Sequence, residues 1–82
     1  DLLCISGLAI EVKRQEVLLV DKWWRQTCIQ ADIHSLVPVL AYRQNRKKWN
    51  VCIPASLLVV GFDGYITLTE EVFSQWLLEW TK

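Results

Sequence analysis

Long apolar runs are missing from this sequence. The longest, Leu57 to Gly61, falls far short of the roughly 20 residues that a membrane-spanning helix needs, so no transmembrane segment is expected. Asp1 to Gly7 carries no basic residue and so lacks the start of a secretory signal; nothing directs export, and a cytoplasmic setting is the expectation. There is one histidine, His34, and the three cysteines, Cys4, Cys28 and Cys52, include no CxxC pair and have no histidine close by. That leaves too few ligands for a zinc site. An odd number of widely spaced cysteines among apolar neighbours argues against a disulfide framework, and reduced thiols buried in the core are the expectation. Repeats, low-complexity tracts and linkers are absent too, and 82 residues are enough for one modest core and too few for two. Residues 1–82 are read as a single domain with one site at most.

What is present is a hydrophobic fraction of 52% with five tryptophans, the composition of a packed fold and not of a disordered chain. The net charge is zero, yet it is unevenly spread. From Lys13 to Lys48 eight bases face three acids, whereas from Asp63 onward four acids face one base. A basic middle and an acidic tail suit a polyanion-binding face on one side of the molecule.

Two apolar runs, Asp1–Ile5 and Leu8–Lys13, flank the turn signal Ser6-Gly7 and predict a β-hairpin. In the second run Leu8, Ile10 and Val12 alternate with Ala9, Glu11 and Lys13, so the two charged side chains share a face. Val20, Trp24, Cys28 and Ala31 recur at helical spacing and predict an amphipathic helix from about Val20 to Asp32, with Asp21 at its dipole-favoured end. Trp23 and Trp24 lie about 100° apart on it, which assigns one to the core and the other to an interface. Leu36–Tyr42 and Trp49–Ile53 predict two further strands joined by the polar loop Arg43 to Lys48. Gly61 to Gly64 is a turn, and Thr67 with Glu70 forms a capping box for a last helix of about Thr69 to Trp80. The order is β-β-α-β-β-α, an α/β (α+β) domain on one small mixed sheet flanked by helices.

Glu and Lys are depleted in strands, yet Glu11-Val12-Lys13 closes a run that otherwise reads as buried sheet. An ion pair at a sheet edge would account for the pair alone, at no more than about 1 kcal/mol. Asp1 on the partner strand, the helix that follows, and the basic and aromatic residues beyond it make a larger pattern. With Asp1, nine intervening residues, Glu11-Val12-Lys13, a helix and two strands, the chain resembles the PD-(D/E)xK nuclease superfamily. Through Lys22-Trp23-Trp24-Arg25-Gln26 and Pro38-Val39-Leu40-Ala41-Tyr42-Arg43 it is similar to the Holliday-junction-resolvase-like proteins of phages and prophages, over about Asp1 to Ile53. The resemblance implies a restriction-endonuclease-like core and a metal-dependent deoxyribonuclease. It also implies an N-terminal helix and a proline ahead of the aspartate; neither stands in these 82 residues, so an upstream segment is expected.

The resemblance assigns catalysis to Asp1, Glu11 and Lys13 and metal binding to Asp1, Glu11 and Val12. Gln15, two residues after Lys13, is a further catalytic candidate by alternation, sharing the site's face to bind phosphate or water, with surface filler as the equal alternative. The physics agrees in outline: two carboxylates about 4 Å apart repel by roughly 4 kcal/mol at an effective dielectric of 20, which a shared Mg²⁺ or Mn²⁺ relieves. A register condition goes with it. A plain two-residue turn at Ser6-Gly7 opposes Asp1 to Val12, on the wrong face, so the site requires a three-residue turn or a bulge, with Gly7 at positive φ. Arg43, Arg46, Lys47 and Lys48, flanked by Tyr42 and Trp49, are candidate contacts to a DNA backbone, and a homodimer is expected of an enzyme cutting two strands. A non-catalytic nucleic-acid or protein-binding module on the same fold, and a purely structural domain, are the competing classes.

Overall fold

The hairpin that opens the chain fixes the position of Glu11. The computed structural model describes residues 2–82; Asp1 lies outside the described residues. Strand β1 (Leu2–Ile5) pairs antiparallel with β2 (Leu8–Arg14), with Ile5 opposite Leu8 and Leu2 opposite Glu11. The turn therefore has two residues, Ser6 at φ 50° and Gly7 at φ 81°, the paired positive φ values of a type I′ hairpin. This corrects the expectation of a three-residue turn or bulge: Ser6 takes a left-handed conformation that non-glycine residues seldom adopt, and the pairing stays regular as far as Leu2. Gly7 has the positive φ expected of it.

Helix α1 (Val20–Ile33) carries the chain from β2 over one face of the sheet to β3 (Val37–Arg43), which lies parallel to β2 in the register Lys13 to Tyr42 and Arg14 to Arg43. Strand β4 (Asn50–Pro54) returns antiparallel beside β3 and pairs with it only from Leu40 to Tyr42. Pro38 thus sits where no partner from β4 calls for its missing N–H. A short 3-10 turn at Ala55–Leu57 precedes β5 (Tyr65–Thr69), which pairs antiparallel with β4, and α2 (Glu70–Trp80) follows. The sheet order is β1-β2-β3-β4-β5. β5 is an addition to the element order read from sequence, and the cap of α2 moves with it: Thr67 belongs to β5, and it is Thr69 whose Oγ1 accepts the Val72 N–H at 3.2 Å.

Alternation along the strands divides the core between two faces. Leu8, Val39, Val51 and Ile53 are buried under Phe73, Trp76, Leu77 and Trp80 of α2, while Leu40 and Cys52 are buried with Trp23 and Trp24 of α1. Both adjacent tryptophans are therefore core residues, a correction to the split assignment. Trp23 packs on Tyr42 and Trp24 on Tyr65, at ring-centroid distances of 6.3 and 5.3 Å, so the buried face of α1 is wide enough to hold both. The Trp80 indole N–H donates to the Ser6 carbonyl at 2.8 Å and ties the end of α2 to the first turn. All three thiols are free. Cys52 is buried and Cys28 half-buried, but Cys4 is exposed and leaves the expected set of core thiols. No helix among the described residues is long and apolar enough to cross a membrane.

One polar contact fastens the start of α1 to β5. The Tyr65 hydroxyl donates to Asp21 Oδ1 at 2.6 Å, and this bond is the main reason its pKa is pushed up to about 12. A folded-state value above the ordinary tyrosine value near 10 means that the contribution is complete below about pH 10 and is lost as the pH rises towards 12. Tyr65→Phe is expected to lower stability by about 1 kcal/mol at pH 8. The gap to wild type should close by pH 12, read from urea midpoints of both chains across that range.

Candidate active site

Glu11 and Lys13 project from consecutive same-side positions of β2 towards α1. They line a narrow cleft of about 50 Å³ with Trp23, Gln26, Thr27 and Gln30 of the helix. Thr27, itself buried, donates its hydroxyl to the Trp23 carbonyl at 2.8 Å, so the cleft has a satisfied floor, and the two glutamine amides supply its other polar groups. Lys13 Nζ stands 3.8 Å from Glu11 Oε1, with the glutamate side chain 13% exposed and the lysine 30%. That separation is an ion pair beyond hydrogen-bonding range, two groups aimed into one space and not locked on each other. Removing a carboxylate from water is costly unless partners offset it. A half-buried carboxylate on a strand, where glutamate is disfavoured, is a donor that a cation site can use.

The structure brings together part of the expected set. The Val12 side chain points to the opposite face, towards α2, so only its main chain lies between Glu11 and Lys13. Gln15 falls one residue beyond the end of β2, exposed, with its N–H bonded to the Arg43 carbonyl at 3.1 Å; it does not line the cleft. Arg46, Lys47 and Lys48 are exposed on the β3–β4 loop, at the sheet end where Arg14 and Arg43 stand in register, one residue past Lys13. That loop is braced against the chain leaving β2 by the Gln44 amide donating to the Glu16 carbonyl and the Asn45 N–H donating to the Glu16 carboxylate. Arg43 lays its guanidinium 4.8 Å from the centroid of the Trp49 ring. Gln26 and Gln30 were not legible as site residues. Gln26 closes the segment that carries the resemblance but has no role assigned there, Gln30 has only its i, i+4 spacing from it on the helix, and the place of both over Glu11 depends on how α1 crosses the sheet.

A five-stranded mixed sheet between two helices, with an acid and a lysine two residues apart on its second strand, is the arrangement of a restriction-endonuclease-like nuclease core. The model of a family described as "Phage putative PDDEXK endonuclease" matches residues 5–75, and the chain belongs to that family. No curated protein and no solved structure matches it.

Nucleases of this kind generally use divalent metal ions. Among the described residues no three His, Cys, Asp or Glu side chains converge, and the cleft holds the Glu11 carboxylate with the Gln26 and Gln30 amides. Oxygen donors of this sort suit a hard cation that keeps several waters, as Mg²⁺ does, and not a thiolate or imidazole metal.

Proposed function

We infer that the chain is a Mg²⁺- or Mn²⁺-dependent endonuclease that hydrolyses DNA phosphodiester bonds at the Glu11–Lys13 cleft, on branched DNA in the manner of Holliday-junction resolvases and in a cytoplasmic setting. The observation that carries this reading is the meeting of Glu11 and Lys13 in one narrow cleft on the α1 face, in a chain of a nuclease family.

In this proposal Glu11 holds the cation with the Val12 main chain. Asp1 is the second carboxylate of this proposal. When bound, the cation supplies positive charge at the phosphate and acidifies a water. Lys13 directs its ammonium at the phosphoryl oxygens, where negative charge grows in the transition state. The Gln26 and Gln30 amides orient water or sugar-phosphate atoms at the mouth, and Gln15 reaches the flanking phosphate. Trp23 and Thr27 close the cleft floor and exclude bulk water. Cleavage of four-way-junction and linear duplex DNA in Mg²⁺ and in EDTA tests the reading; cutting that EDTA leaves intact would end it.

The loop residues Arg46, Lys47 and Lys48, with Arg43, are placed against the phosphate backbone. Replacing Arg46, Lys47 and Lys48 by alanine is expected to weaken DNA binding across all sequences and to flatten the slope of log K against log salt by about 1 for each phosphate no longer neutralised. Titration at several salt concentrations measures this, and an unchanged slope would remove the loop from the interface. A homodimer belongs to the same reading and is supported by the apolar surface of the loop between β4 and β5, where Val60 is 95% and Phe62 61% exposed.

A further inference from the structure

The reverse side of the Glu11-Val12-Lys13 segment carries a second hollow. Val12 pairs with Ala41, and Ala41 with Val51, so three small side chains form a row across β2, β3 and β4, about 10 Å over two strand spacings. Their hollow has a volume of about 280 Å³, with Phe73 on the α2 side and Trp49 on the other. Glu70 and Ser74 stand on its rim, four residues apart and so on one line of the helix. Trp49 and Glu70 are shared with an adjoining hollow that includes Lys48 and a second carboxylate, Glu71. Arg43 lies over the Trp49 ring, and its Nε, although buried, has no hydrogen-bond partner among the described residues.

An apolar floor, two aromatic walls, a carboxylate and a hydroxyl on one line of α2, and Lys48 with the Arg43 guanidinium at the Trp49 end suit a nucleobase with its phosphate. We propose that this hollow binds an unpaired guanine of the nucleic acid whose backbone crosses the basic loop. A carboxylate only accepts hydrogen bonds, whereas a hydroxyl can donate. Glu70 accepts from guanine N1–H and the N2 amine, and Ser74 donates to O6. Adenine, cytosine and thymine each present a different order of donors and acceptors along that edge. The same edge is occupied in a duplex, so the site selects single-stranded nucleotides. Trp49 and Phe73 flank the base, and Arg43 and Lys48 take its phosphates. The strand then rounds the sheet end past Arg46 and Lys47 and reaches Lys13 on the other face a few nucleotides away. This path rests on the nuclease reading; the base site itself does not.

The test is fluorescence anisotropy of the whole chain in EDTA with labelled oligothymidylate and with the same oligomer carrying one central guanine, so that binding is read without cleavage. The guanine oligomer is expected to bind about tenfold more tightly. Glu70→Gln should abolish that ratio and Ser74→Ala reduce it, with both variants unfolding at the wild-type temperature. Equal affinity for the two oligomers, a ratio that survives Glu70→Gln, or no binding to either overturns the proposal. A parallel cleavage assay in Mg²⁺ keeps the two ideas apart. Base preference without cutting would contradict the nuclease reading alone, and cutting without base preference would contradict the guanine site alone.

Discussion

Glu11→Ala is expected to lower Mg²⁺-dependent DNA cleavage by at least about a thousandfold, the scale of losing a group that acts on the transition state, while leaving the fold in place. The residue sits on β2 between flanking pairs that do not need its side chain, since Leu2 and Leu40 stand beside it through the main-chain ladder. Circular dichroism and a urea midpoint close to wild type should accompany the lost activity. Full activity in Glu11→Ala would place the chemistry elsewhere, whereas an unfolded variant would mean that the carboxylate is structural.

Ile53→Ala is expected to have the largest effect on stability, about 3 kcal/mol. Ile53 lies on β4, fully buried in the cluster roofed by α2, and its pairing with Ile66 makes it the link between the sheet centre and β5. Small domains have total stabilities of only about 5–15 kcal/mol, so this one truncation removes a large share, through lost burial and the cavity left behind. Ile53→Val should cost about 1 kcal/mol. Chemical denaturation distinguishes them, and an alanine variant within about 1 kcal/mol of wild type would show that α2 is not held by this cluster.

The parts of the fold that are legible in the sequence are those where one periodicity rules without competition. Alternation from Leu8 to Lys13 places Glu11 and Lys13 on one face, and the 3.6-residue spacing from Val20 to Ala31 marks α1 almost to its last residue. The strands flanking the basic loop are legible for the same reason. β5 is hidden because Tyr65 to Thr69 offers two readings. Its β-branched and aromatic residues favour a strand, but Thr67 and Glu70 also match a capping box, and only pairing with β4 decides between them. The true cap two residues later leaves the whole of 65–69 extended.

The hairpin differs, because the needs of a metal site do not set its register: Ser6 accepts positive φ and the tight turn forms regardless. The place of Gln26 and Gln30 in the cleft cannot be read from sequence, because a polar residue on a helix looks solvent-facing until the crossing of α1 over β2 is known. The paired tryptophans show the converse. A narrow apolar stripe would separate them, yet a sheet several strands wide gives each its own tyrosine.

Isothermal titration of Mn²⁺ into the wild-type chain, Glu11→Ala and Asp1→Asn tests most directly whether the Glu11–Lys13 cleft is a divalent-cation site serving phosphodiester hydrolysis. Saturable binding in the wild type that disappears in Glu11→Ala is the predicted result, and its weakening in Asp1→Asn would add Asp1 to the ligand set. Binding that is unchanged in Glu11→Ala, or no binding to the wild-type chain, would contradict the account.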